Sequence, residues 1–239
     1  MKKNLNARER LIVALDCPSQ DMARSLVRTL GDEVIFYKVG WQLFLQGGLG
    51  FVRELQESGK DVFLDLKMDD IEETIESAVR EISGLAKFLT IHGNGATARA
   101  ACAGRGNSTL PKLLSVTLLS SLDQADLQDL FGGEAPKLND YVLFRAGKAL
   151  ESGCEGVIAS GQTIKLIRDK FGDDPIIVSP GIRPIGSSTD DHKRSLTPSE
   201  ALLNGADCLV IGRPIHSHPD PKEAVQVILA EMESALGSN

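Results

Sequence analysis

The chain has little cysteine. Its four thiols, Cys17, Cys102, Cys154 and Cys208, are far apart and form no CxxC pair or Cys/His cluster. This excludes the ligand spacing of zinc and redox centres, so the thiols are expected to be reduced and structural. Long hydrophobic runs are also missing, since none approaches the roughly 18 to 20 residues needed to span a bilayer. The basic MKKNLNARER leads into the short LIVALD and then Cys17-Pro18, with no h-region or small-residue cleavage site. Membrane insertion is not expected; a cytoplasmic location is. Basic charge is not in excess, because the formal net charge is −7. That balance argues against broad nucleic-acid binding, which usually shows a basic patch, and still allows an anionic small substrate where a few cations share one cleft. No low-complexity segment or Pro/Gly-rich linker divides the sequence, so one domain over residues 1–239 is expected.

What is present is the alternation of an α/β protein. Eight apolar, β-rich runs recur: 11–16, 34–40, 61–67, 88–93, 112–119, 156–160, 175–182 and 208–215. Helical spacing separates many of them, at 20–30, 51–58, 71–85, 141–152 and 163–171, and again at 221–236. Such alternation implies parallel strands covered by helices, and nearly continuous apolar runs fit strands buried on both faces. Eight units in 239 residues point to a TIM (β/α)8 barrel, with an open doubly wound sheet as the structural competitor.

Polar residues gather where a barrel places its chemistry. Asp16, Lys38, Asp65, Lys67, His92 and Ser120 fall at or near the carboxyl ends of candidate strands, and Arg183 and Arg213 follow the seventh and eighth. The most informative stretch is FLDLKMDDIEET, residues 63–74. Period-two alternation puts Asp65 and Lys67 on one face and Leu64 and Leu66 on the other. Two charges on one face of an apolar strand are costly as packing residues, although an ion pair with a purely structural role has the same signature. Asp70 lies where a helix begins, which also suits a capping carboxylate.

The seventh and eighth strands run into SPGIR (179–183) and GRP (212–214), where barrels often bind phosphate. Glycine there permits close backbone approach, and the forked guanidinium of Arg213 matches phosphate oxygens. The polar stretch 184–194, PIGSSTDDHKR, reads as a loop able to cover a ligand, and residues 120–137 form a second possible cover.

With these residues assembled, the chain closely resembles the orotidine 5'-phosphate decarboxylase family over nearly its whole length. The landmarks are LDCPS (15–19), YKVG (37–40), DLKMDDIEET (65–74), VTLLSS (116–121), SPGIRP (179–184), DDHKRSLTP (190–198) and LVIGRPI (209–215). The resemblance implies a TIM barrel acting as a homodimer, without metal or organic cofactor, that converts orotidine monophosphate to uridine monophosphate and CO2. It implies Asp16 and Lys38 at the ribose hydroxyls, and an alternating charge array of Lys38, Asp65, Lys67 and Asp70. Asp70 and Thr74 would reach the neighbouring subunit's site. Ser120 would meet the pyrimidine, and Arg213, with Gly181, Gly212 and Arg183 nearby, the phosphate. Lys67 would stabilise and protonate the carbanion at C6, and His92 would be a supporting residue.

Two departures stand out. The family usually has glutamine at the lid position of His192, and its motif commonly reads DLKxHDIPNT where this chain has Asp69, Glu72 and Glu73. These added carboxylates suit a solvated helix start. A magnesium-dependent sugar-phosphate lyase resembling 3-keto-L-gulonate 6-phosphate decarboxylase shares the DxKxxD pattern. A catalytically silent nucleotide-binding barrel is the reading from another class.

Overall fold

The computed structural model describes residues 5–184 and 195–237. Eight parallel strands among them close into a barrel. They are β1 (Leu11–Ala14), β2 (Phe36–Gly40), β3 (Asp61–Met68), β4 (Phe88–Ile91), β5 (Lys112–Val116), β6 (Gly156–Ile158), β7 (Ile176–Ser179) and β8 (Cys208–Ile211). Closure is made by β1 against β8, with Leu11 opposite Leu209 and Val13 opposite Ile211. The expected TIM barrel is the observed fold. Seven of the eight sequence runs contain their strand, β3 ending one residue past the run 61–67, and most of the runs extend beyond the strand at the carboxyl end into the loops that build the site.

Alternation sorts every strand into two faces. Ile12 and Ala14, Phe36, Phe63, Phe88, Leu114 and Val116, Val178, Cys208 and Val210 form a compact cluster on the inner face. Their neighbours, including Leu11, Val13, Tyr37, Leu64, Leu89 and Ile177, join the larger core beneath the helices. The inner cluster centres on Phe88, whose ring centroid lies 5.2 Å from Phe36 and 5.9 Å from Phe63. Deleting one such buried ring costs about 3–5 kcal/mol, so this plug is a rigid floor. Continuing the same inward parity by two residues leads from Ala14 to Asp16, from Phe36 to Lys38 and from Phe63 to Asp65. The barrel is apolar up to one layer and charged in the next.

Helices Gln20–Leu30 and Thr163–Phe171 keep the bounds read from the sequence. The stretch 51–58 is the second half of Trp41–Glu57, a helix kinked at Gly48, where φ is +53°. Helix Gly95–Arg105 has no counterpart in the sequence reading, because its alanines and glycines give no apolar stripe. Its small side chains permit close packing: a Cβ at Gly104 would fall 2.3 Å from the Glu76 carbonyl oxygen of helix Glu72–Ile82. No helix among the described residues is long and apolar enough to cross a membrane.

Candidate active site

A cavity of about 470 Å3 opens above the inner plug at the carboxyl ends of the strands. Apolar side chains, among them Phe63, Ile158 and Val210, form part of its lining, and Lys38, Asp65 and Lys67 lie in the same wall. Asp16, Ser120, Arg183, Gly212 and Arg213 also line it. Residues read from six separate strand ends therefore share one space.

The charged wall is continuous. Lys38 Nζ donates to Asp16 Oδ1 at 2.9 Å and lies 3.6 Å from Asp65 Oδ2. Lys67 Nζ donates to Asp65 Oδ1 at 2.8 Å. The order along the wall is Asp16, Lys38, Asp65, Lys67, with signs alternating. Burial alone pushes the Asp65 carboxyl up, but the ammoniums of Lys38 and Lys67 and hydrogen bonds from Lys67 and Thr90 outweigh it, leaving the carboxyl below its ordinary value. Lys38 is the most enclosed member, with its side chain 10% exposed, against 35% for Lys67. Of the two cations, Lys67 is the more accessible to a ligand.

Strict alternation does not carry β3 to its end. Lys67 has φ +47°, and among the described residues it is the one non-glycine with positive φ. The pairing of β3 with β4 shifts between Leu64 and Met68. Lys67 thus faces the cavity from a bulge, not from a regular strand. A non-glycine residue in that region carries roughly 1–3 kcal/mol of strain that the surrounding structure has to hold. Its backbone N–H donates to Thr90 Oγ1 at 2.9 Å, and that hydroxyl lies 3.0 Å from Asp65 Oδ1.

Close backbone approach shapes the site both behind the charged wall and around Gly181 and Gly212. A Cβ at Gly40 would meet Lys38 Nζ at 3.2 Å, and one at Gly212 would meet the Ala14 Cβ at 3.3 Å. Gly181 has φ +75° and lines the cavity between Pro180 and the buried Arg183. Arg183 Nη1 donates to the Ile182 carbonyl at 2.9 Å, while its own N–H bonds Leu196 O at 2.9 Å. An isolated parallel bridge between Ile182 and Leu196 joins the two described flanks of the expected lid. The lid beyond Pro184, including His192, lies outside the described residues.

Asp70 and Thr74 stand apart from the cavity of their own chain. Both are exposed, and Asp70 Oδ1 accepts from the Ile71 N–H at 2.7 Å. The helix cap falls on Ile71, so Asp70 is one residue outside it. Asp69, Glu72 and Glu73 are exposed around the same helix start. His92 is not in the cavity wall. Burial, with Arg145 and Lys67 nearby and Asp69 opposing, holds its imidazole below the ordinary value. Its carbonyl and that of Gly93 accept from the Arg145 guanidinium.

Sequence reasoning passed over His216 and Thr90. His216 lines the cavity three positions after Arg213. Burial depresses its imidazole, with Asp16 opposing and Arg213 reinforcing. Its place in GRPIH (212–216) was the available signal. Thr90 lies two residues before His92 and gave none.

A sequence model of the "Orotidine 5'-phosphate decarboxylase / HUMPS family" matches residues 9–228. The chain belongs to this family. Within the orotidine 5'-phosphate decarboxylase / HUMPS family, a relative from Nitrobacter winogradskyi named orotidine 5'-phosphate decarboxylase is 50% identical over 231 residues, covering 96% of this chain and 95% of that protein. Another so named, from Methylorubrum extorquens, is 44% identical and covers 98% of this chain and all of that protein, 100%. The fold agrees equally well. The crystal structure of orotidine 5'-phosphate decarboxylase from Lactobacillus acidophilus superposes with a TM-score of 0.80 at 33% identity, covering 93% of this chain and 98% of that one.

Proposed function

We propose that this chain is an orotidine 5'-phosphate decarboxylase, a carboxy-lyase that converts orotidine monophosphate to uridine monophosphate and CO2 in pyrimidine synthesis. Full-length relatives bearing that name support the substrate. The observation that carries the reading is the unbroken wall Asp16–Lys38–Asp65–Lys67 beside an apolar floor. Residues 1–239 form a single domain that works in the cytoplasm as a homodimer.

The phosphate binds at Arg213 and the backbone around Gly181 and Gly212, with Arg183 close by. Asp16 and Lys38 take the ribose hydroxyls, Ser120 takes the pyrimidine, and His192 comes from the lid. This places C6 against Lys67. The bond from C6 to the carboxylate carbon breaks, its electron pair stays on C6, and CO2 leaves. Ordinary electron sinks do not delocalise that pair, so a cation standing there beforehand is the effective form of catalysis. Lys67 supplies it, then transfers a proton from Nζ to C6, and the resulting amine regains a proton from solvent. No metal or organic cofactor takes part.

Preorganisation makes this arrangement effective. Asp65 holds Lys67 at 2.8 Å, and Asp70 of the second subunit completes the array, with Thr74 beside it. The exposure of Asp70, Thr74 and the 69% exposed Ile71 supports this placement at a subunit contact. One preorganised donor is worth about 2.7–4 kcal/mol, so binding energy from phosphate and ribose has to contribute the remainder through closure over the substrate. The deciding experiment follows the absorbance of orotidine monophosphate on addition of the purified protein. Steady loss with formation of uridine monophosphate is expected; no change under conditions where uridine monophosphate binds would leave a nucleotide-binding barrel instead.

A further inference from the structure

Between the pairs Leu64 with Leu89 and Met68 with Ile91, β3 inserts Asp65, Leu66 and Lys67 opposite one residue of β4, Thr90. In regular pairing one residue faces one, so this segment carries two residues more than its partner. Its backbone N–H groups cannot all find ladder carbonyls, and a buried donor without an acceptor is costly. The Lys67 N–H finds the Thr90 hydroxyl at 2.9 Å.

That hydroxyl is fully buried and its hydrogen-bond roles are determined. The Lys67 backbone N–H can only donate, and an ionised carboxylate can only accept. Thr90 Oγ1 therefore accepts from Lys67 N and donates to Asp65 Oδ1 at 3.0 Å. The same Oδ1 accepts from Lys67 Nζ at 2.8 Å. The result is a closed ring in which both ends of Lys67, its backbone nitrogen and its ammonium, are tied through Thr90 and Asp65. A threonine satisfied only for packing would need none of these partners to belong to the charged wall.

We propose that Thr90 is a positioning residue for the decarboxylation, clamping Lys67 in its left-handed conformation and orienting Asp65 so that the Lys67 ammonium stands where the reacting carbon arrives. This rests on the function proposed above. Thr90 does not line the cavity. Its hydroxyl acts through the two residues it bonds.

The test uses the full-length protein with Thr90→Val, which keeps the shape and removes the hydroxyl, and Thr90→Ser, which keeps the hydroxyl. Small misplacement of a catalytic group can cost about 100-fold. Thr90→Val is expected to lower kcat by about 10- to 100-fold with KM for orotidine monophosphate changed less than about threefold, while Thr90→Ser stays within about threefold of the parent in both. Independently of turnover, the Lys67 backbone amide should exchange its hydrogen at least about tenfold faster in Thr90→Val and near the parental rate in Thr90→Ser. If the parent protein lacks decarboxylase activity, the proposed function fails, and the exchange measurement still decides whether Thr90 clamps Lys67. Unchanged kcat in Thr90→Val, an unchanged Lys67 amide, or loss of kcat in Thr90→Ser equal to that in Thr90→Val would overturn the role. Should Thr90→Val fail to fold, Thr90→Ala, which likewise removes the hydroxyl, replaces it under the same criteria.

Discussion

Asp65 and Lys67 are two positions apart in sequence, yet their 2.8 Å ion pair is made across a bulge in which Lys67 adopts φ +47°. A regular strand would also direct both side chains inward. The bulge instead presents the Lys67 ammonium from a strained backbone, with Asp65 more deeply enclosed beneath it. Local strain at this one non-glycine position among the described residues coincides with the proposed reacting cation.

Replacing Lys67 should separate chemistry from binding. Lys67→Ala is expected to lower kcat by at least about 1000-fold, since both a preorganised charge and the proton donor are removed. Titration with uridine monophosphate should still give affinity within about tenfold of the parent. Near-normal turnover would remove Lys67 from the mechanism.

Asp70 and Thr74 make a prediction about two chains. Lys67→Ala and Asp70→Ala proteins, each inactive alone, should recover activity when mixed and allowed to exchange subunits. One site in such a heterodimer then has both groups. Verified mixed dimers without recovered turnover would place Asp70 outside the shared site.

Acid should weaken the wall in a defined direction. The folded-state pKa of Asp65 lies below its ordinary value of 3.8. Its ionisation therefore stabilises the fold fully above that value, and the contribution is lost as pH falls through the lower folded value. Asp65→Asn should cost roughly 1.5–3 kcal/mol near pH 7, with the difference from the parent shrinking below about pH 4. Urea unfolding measured across this range checks the sign; a difference that grows on acidification contradicts it.

Arg213 should matter for phosphate more than for nucleoside. Arg213→Ala is expected to weaken uridine monophosphate binding by about 10- to 100-fold, the scale of a charge-assisted hydrogen bond. Binding of uridine should change little. Equal losses for both ligands in a calorimetric titration would assign Arg213 elsewhere.

Chelation distinguishes the proposed chemistry from a magnesium-dependent lyase. After exhaustive dialysis against a chelator, turnover of orotidine monophosphate should be retained, whereas a reaction needing a hard cation should stop and return on adding magnesium.

Much of this was legible in the chain itself. Period-two patterning within each strand, and the spacing of strands along the chain, are local properties, so they determine eight strands, an inner apolar face, and the positions of Asp16, Lys38 and Asp65 one layer above it. Close approach of the strand ends then follows once a barrel is chosen. Other features depend on neighbours distant in sequence. Helix Gly95–Arg105 lacks a contrasting stripe, and its place depends on the backbone of Glu76, which only packing supplies. His216 enters the cavity because the short helix Arg213–His216 after β8 directs it there. Above all, the excess of β3 over β4 can be counted only when the two strands are paired. That register gives Lys67 its left-handed backbone and sets Thr90 against it, because a hydrogen bond between residues 23 positions apart is decided by tertiary contact, not by local propensity.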